Sequence, residues 1–171
     1  MLSVEEGLEE QMEAILADVW SFLGLDDEPP SGEVAAIESP SVHVYTRLSG
    51  PDADVGLALQ CDRETARSLA AAMLDMAPPE IGPQDISDAM GEIANIIGGN
   101  LKALAEDLTL GFAVVQDAEG EVAAKGEMLC GLRCYPGGHA MSIQVTLVPT
   151  SSGRSRLAQV HNATASAALK A

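Results

Sequence analysis

An α+β fold, with an antiparallel sheet packed against long helices, is predicted by three features of this 171-residue sequence. Apolar residues recur at helical spacing over 4–25 and again over 85–108. Short runs alternate apolar and polar residues between turn signals at 42–61 and beyond 127. The resulting order is helix, two strands, two helices, three strands, without the regular alternation that a doubly wound parallel sheet requires. A hydrophobic fraction of 47% with 20% charged residues describes an ordinary globular chain. Its length suits a single domain that hides roughly 70% of its unfolded surface.

The first helix is expected from Val4 to Leu25, where Leu8, Met12, Ile15, Leu16, Val19, Phe22 and Leu23 share a face. Glu5, Glu6 and Glu9 suit the positive end of its dipole. Asp26 to Pro40 is acidic, carries Pro29, Pro30 and Gly32, and reads as a linker. Val42, Val44, Thr46 and Leu48, then Val55, Leu57, Leu59 and Cys61, alternate around the turn Ser49-Gly50-Pro51-Asp52, so a hairpin is predicted. Asp62 caps a helix from Arg63 to Met76, stopped by Pro78-Pro79. A longer helix is predicted from Asp85 to Leu108, with strands near Gly111–Gln116, Glu127–Tyr135 and Ala140–Val148. Met128, Cys130, Leu132 and Cys134 line one face of the second of these strands. Met141, Ile143, Val145 and Leu147 line one face of the third, as an antiparallel sheet with one covered face requires. Residues 1–150 make the expected domain, and 151–171, rich in Ser and Ala, a tail that adds little to the core.

Charge narrows the partners. Nine Lys and Arg stand against 26 Asp and Glu, for a net charge of −17. No base precedes Arg47, whereas the tail holds Arg154, Arg156 and Lys170 and no acid. A phosphate backbone or an anionic membrane surface repels such a chain, so neither nucleic acid nor membrane is an expected partner. The first residues lack a basic region followed by an apolar one. No run approaches the roughly 18 apolar residues that a membrane helix needs. With three cysteines, an odd number, a cytoplasmic chain with reduced thiols is the expectation.

The chemistry is concentrated in the second long helix. At about 100° per residue, Ile86, Met90, Ile93, Ile97, Leu101, Leu104 and Leu108 form a buried stripe. Asp88, Glu92, Asn95, Gly99 and Lys102 form a line on the opposite side. With Asp85 as N-cap, Asp88 falls near the slot of a capping-box acid, and an exposed helical Glu92 is common. Asn95 is harder to explain as a solvated face, because Asn is a mediocre helix former. Gly91, Gly98 and Gly99 nearby each cost about 1 kcal/mol relative to Ala. Three breaks of local propensity around one Asn suggest close approach by another surface.

Asp88-x3-Glu92-x2-Asn95, continuing as Ile96-Ile97-Gly98-Gly99-Asn100, resembles the signature helix of the CheC/CheX chemotaxis phosphatases. Asp62 to Met73 is similar to the helix that precedes it in CheX, and the likeness runs from about Val4 to Pro149 in the same element order. The resemblance implies a phosphatase for a CheY-type response regulator that carries its phosphoryl group on an Asp. Asn95 would orient the attacking water, and Glu92 would pair with the Lys beside the regulator's phosphorylation site. The Mg²⁺ would be the regulator's, so the chain would need no cofactor of its own. Two copies of the signature occur in CheC and only one here, so a single-site, CheX-like homodimer is the closer match. The family's Pro, 23 residues after the Asn, is Ala118 in this chain.

Other constellations are weaker. Cys130 and Cys134, four apart on a strand, stand about 13 Å from each other and read as buried small hydrophobes. His43 and His139 read as structural, and Met73, Met76 and Met90 as packing residues. No HExxH, GxSxG, GxGxxG or P-loop pattern is present. The alternative function is a non-catalytic module that binds a regulator or serves in a flagellar switch, which fold alone does not separate from an enzyme.

Overall fold

A computed structural model describes residues 7–28, 41–105, 107–117 and 126–150. Residues 151–171, expected to form a tail, and Ala118 lie outside that set. Three helices, α1 (Leu8–Phe22), α2 (Arg63–Leu74) and α3 (Pro83–Ala103), accompany six strands. The strands are β1 (Val42–Ser49), β2 (Ala53–Cys61), β3 (Thr109–Leu110), β4 (Val114–Asp117), β5 (Glu127–Cys134) and β6 (Met141–Pro149). The class is α+β, as the element order predicts.

All strand pairs are antiparallel. The sheet order is β3-β1-β2-β6-β5, with β4 also pairing β1. The predicted hairpin forms in full, from Val42 opposite Cys61 to Leu48 opposite Val55. Val44, Leu57, Leu59, Ile143 and Val145 face the helix layer and are buried with Met90, Ile93 and Ile97 of α3. Trp20, 1% exposed, is the largest fully buried side chain. It follows Leu16 by one helical turn and so shares the core stripe of α1.

Several boundaries and faces differ from expectation. Phe22 is 78% exposed and ends α1 rather than extending its buried stripe. Met76 is also exposed, because α2 stops at Leu74 and Asp75 takes the left-handed conformation. The expected strand at 111–116 is two short strands, β3 and β4. In β5 a bulge between Met128 and Cys130 breaks the period of two: Cys130 pairs with buried Val145, while Met128 pairs with Thr146 on the other face and is exposed. The opposite face of the sheet is also less open than alternation implies. Asp54, Gly56, Ala58 and Gln60 on β2 are all buried. Gly56 is required there, since a Cβ would stand 2.6 Å from Thr146 Oγ1 and 3.0 Å from the Tyr45 hydroxyl.

All three cysteines are free and buried. His139 rests 3.4 Å from Ser68 Oγ, tying the β5–β6 turn to α2. Both findings fit structural roles.

Candidate functional site on helix α3

Helix α3 starts two residues before the expected Asp85. Pro83 occupies the first turn, where its missing N–H costs nothing. Asp85 is therefore the third helical residue rather than the N-cap, and its Oδ2 accepts the Gly82 N–H at 2.8 Å. Asp88 consequently lies outside the cap, and its Oδ1 accepts from Gln84 Nε2 at 2.8 Å. The helix ends at Ala103, so Leu104 leaves the stripe and is exposed; Leu108 is buried but beyond the helix.

The predicted solvent line survives these shifts. Asp88, Glu92 and Lys102 are exposed, and Asn95 and Gly99 are half-buried. Ile86, Met90, Ile93, Ile97 and Leu101 fill the opposite side. Glu92 and Asn95, three residues apart, are neighbours on the helix surface. Among the described residues neither the Glu92 carboxylate nor the Asn95 carboxamide makes a hydrogen bond or ion pair. The lone amide of the next turn differs: Asn100 Nδ2 donates to the Ile96 carbonyl at 2.9 Å. Asn95 thus keeps its donors and its acceptor unused by the described residues.

The three glycines serve different ends. A Cβ on Gly98 would lie 2.8 Å from Leu110 Cδ1 and 3.6 Å from Thr46 Cγ2, so this glycine lets α3 settle on the sheet. That corrects the expectation that Gly98 clears space for an external surface. A Cβ on Gly91 would make ordinary contact with Val115 Cγ2 at 3.7 Å. Only around Gly99 is there open space, with nothing within 4 Å.

These contacts also reveal a neighbour that periodicity did not find. Leu110 lies against Gly98 and Val115 against Gly91, so the chain from 110 to 115 runs beside the turns that carry Asn95. The sequence predicts a strand there, near Gly111–Gln116, but nothing in it shows that this strand borders Asn95. Arg63 Nη2 ties this border to α2 through Asp117 Oδ1 at 2.8 Å, an exposed pair of small energetic weight. No group of three or more His, Cys, Asp or Glu residues able to share a metal ion occurs among the described residues. No described helix is long and apolar enough to cross a membrane.

These features define an antiparallel-sheet domain whose candidate site is an open helix face. Residues 44–127 match the family model described as chemotaxis phosphatase CheX. A chemotaxis protein CheX from Vibrio vulnificus is 18% identical with a TM-score of 0.65, over 86% of this chain and 99% of that one. CheX from Desulfovibrio desulfuricans is 18% identical with a TM-score of 0.62, over 82% and 98%. A chain of the CheX–CheY–BeF3–Mg²⁺ complex from Borrelia burgdorferi is 16% identical with a TM-score of 0.62, over 86% and 99%. No curated protein matches. Over residues 44–127 the chain is thus similar to the CheX family, and its fold is that of the solved CheX structures.

Proposed function

We propose that this chain hydrolyses the aspartyl phosphate of a CheY-type response regulator docked on the exposed face of α3. The observation that carries the reading is the pairing of Glu92 and Asn95 on that face, both without partners among the described residues. Asn95 accepts one hydrogen bond from water through its amide oxygen and donates others through its nitrogen, holding the water in line with phosphorus. A neutral amide does this without adding negative charge beside the phosphoryl oxygens. Water's oxygen bonds to phosphorus, the bond from phosphorus to the Asp oxygen breaks, and aspartate and inorganic phosphate are released. Positioning rather than covalent chemistry lowers the barrier.

Glu92 meets the Lys beside the regulator's phosphorylation site, fixing the docked geometry. The Mg²⁺ belongs to the regulator, and the CheX relative seen with CheY, BeF3 and Mg²⁺ supports that arrangement. The working location is the cytoplasm. A homodimer of roughly 35 kDa, twice the 17.7 kDa chain, protects sheet edges while leaving both α3 faces open. The test is to incubate the protein with phosphorylated CheY-type regulators and time phosphate release. Accelerated release supports an enzyme; tight binding without acceleration makes the chain a binding module.

A further inference from the structure

We propose that Phe112 is a specificity residue for the docked regulator, an apolar contact that α3 itself does not supply. The inference rests on the phosphatase reading and extends it to a second element of the chain. The backbone between β3 and β4 is built to place this side chain outside. Leu48 pairs with Leu110 and Tyr45 with Val114, so three steps along β1 are matched by four along the neighbouring chain. The extra residue makes a bulge, a device that redirects a side chain. Gly111 anchors it: its N–H donates to the Arg47 carbonyl at 2.8 Å, and its carbonyl accepts from Thr46 Oγ1 at 3.2 Å. A Cβ at 111 would press to 2.9 Å from the Arg47 oxygen, so glycine is needed at that approach.

Phe112, next in the chain, is 95% exposed, the highest exposure of any large hydrophobic residue described. The bulge lies between the contact of Leu110 with Gly98 and that of Val115 with Gly91. Those two glycines are roughly 10 Å apart along the helix, and Asn95 falls between them. An aromatic ring left in water at the level of an unengaged amide has a use once a partner covers both. Aromatic side chains are typical anchors of protein interfaces, and the seating of Leu110 and Val115 against Gly98 and Gly91, on either side of Asn95, commits this one to the regulator. Salt-sensitive contacts of Glu92 then act beside a salt-insensitive apolar one.

The test uses the full chain and a panel of CheY-type regulators activated with beryllofluoride and Mg²⁺. Binding is measured for the parent, Phe112→Ala and Asn95→Ala, with phosphate release from phosphorylated regulator in parallel. Phe112→Ala should weaken binding about tenfold to a hundredfold. It should raise KM correspondingly, leave kcat at saturation unchanged, and leave the melting temperature within a degree or so, because the ring packs on nothing. Phe112→Leu should restore part of the affinity. Unchanged binding by Phe112→Ala overturns the proposal. So does a variant that loses self-association in light scattering while binding regulator normally, since the ring would then belong to a copy–copy contact. A parent protein that binds no activated regulator sinks the phosphatase reading and this proposal together, whereas normal binding by Phe112→Ala with normal turnover sinks only this one.

Discussion

Replacing each of two adjacent glycines with alanine should change stability by different amounts. In a helix interior, Gly→Ala alone is worth about 1 kcal/mol in favour of the fold. At Gly99 the new methyl meets nothing within 4 Å, so the full gain is realised. At Gly98 the methyl would stand 2.8 Å from Leu110 Cδ1, with Thr46 Cγ2 at 3.6 Å and Leu57 Cδ2 at 3.8 Å. Overpacking costs about 1–3 kcal/mol, and the low end applies because the crowded atom is the tip of a flexible leucine, so the cost roughly cancels the propensity gain and leaves Gly98→Ala near neutral. For a chain of this size 1 kcal/mol shifts the melting temperature by about 2–4 °C. Thermal melts followed by circular dichroism should therefore separate the two variants by a few degrees. Leu110→Ala, added to Gly98→Ala, should recover part of that packing cost, because the clash is with the tip of that side chain. If Gly98→Ala stabilises as much as Gly99→Ala, β3 does not rest on α3. The placement of the 110–115 segment beside Asn95 then fails with it. Activity supplies a second readout: Gly99→Ala, although more stable, should lose phosphatase turnover by about tenfold, since its methyl enters the space a docked partner needs.

Asn95→Ala should leave regulator binding largely intact and lower turnover by about a hundredfold; a folded variant with parental rates refutes water positioning. Glu92→Ala should reduce affinity as well as rate, with a loss that shrinks as salt is added; a salt-independent loss argues against a charge contact. Burial pushes the Cys61 thiol up to about 12 and raises that of Cys134 as well. A thiol raised in the folded state contributes stability that is complete below the unfolded thiol's value and is lost as pH climbs toward the folded one. Urea midpoints should accordingly fall above about pH 9, and Cys61 and Cys134 should resist thiol reagents at pH 8 until the chain unfolds. Light scattering at micromolar concentration should report a dimer, and a monomer would refute the proposed assembly.

What the sequence determined by itself was set by short-range rules. Helical periodicity placed Ile86, Met90, Ile93, Ile97 and Leu101 inside, and hence Asp88, Glu92 and Asn95 outside, whatever the neighbouring elements were. The same holds for the β1–β2 hairpin, defined by alternation and a turn, and for Asp62, whose Oδ1 accepts the Thr65 N–H at 2.7 Å as a cap three residues away. Tertiary structure decided whatever depends on partners distant in the chain. Gly98 resembles Gly99 in sequence, but only the approach of Leu110 makes one a packing glycine and the other open surface. The start of α3 turned on whether Asp85 would cap or be capped against Gly82. The face of Met128 turned on a bulge that pairing with β6 imposes. Phe112 was visible only as a letter, because its exposure comes from the mismatch of four residues against three across β1. Local propensity is written residue by residue, whereas register and close approach arise only when two distant segments meet.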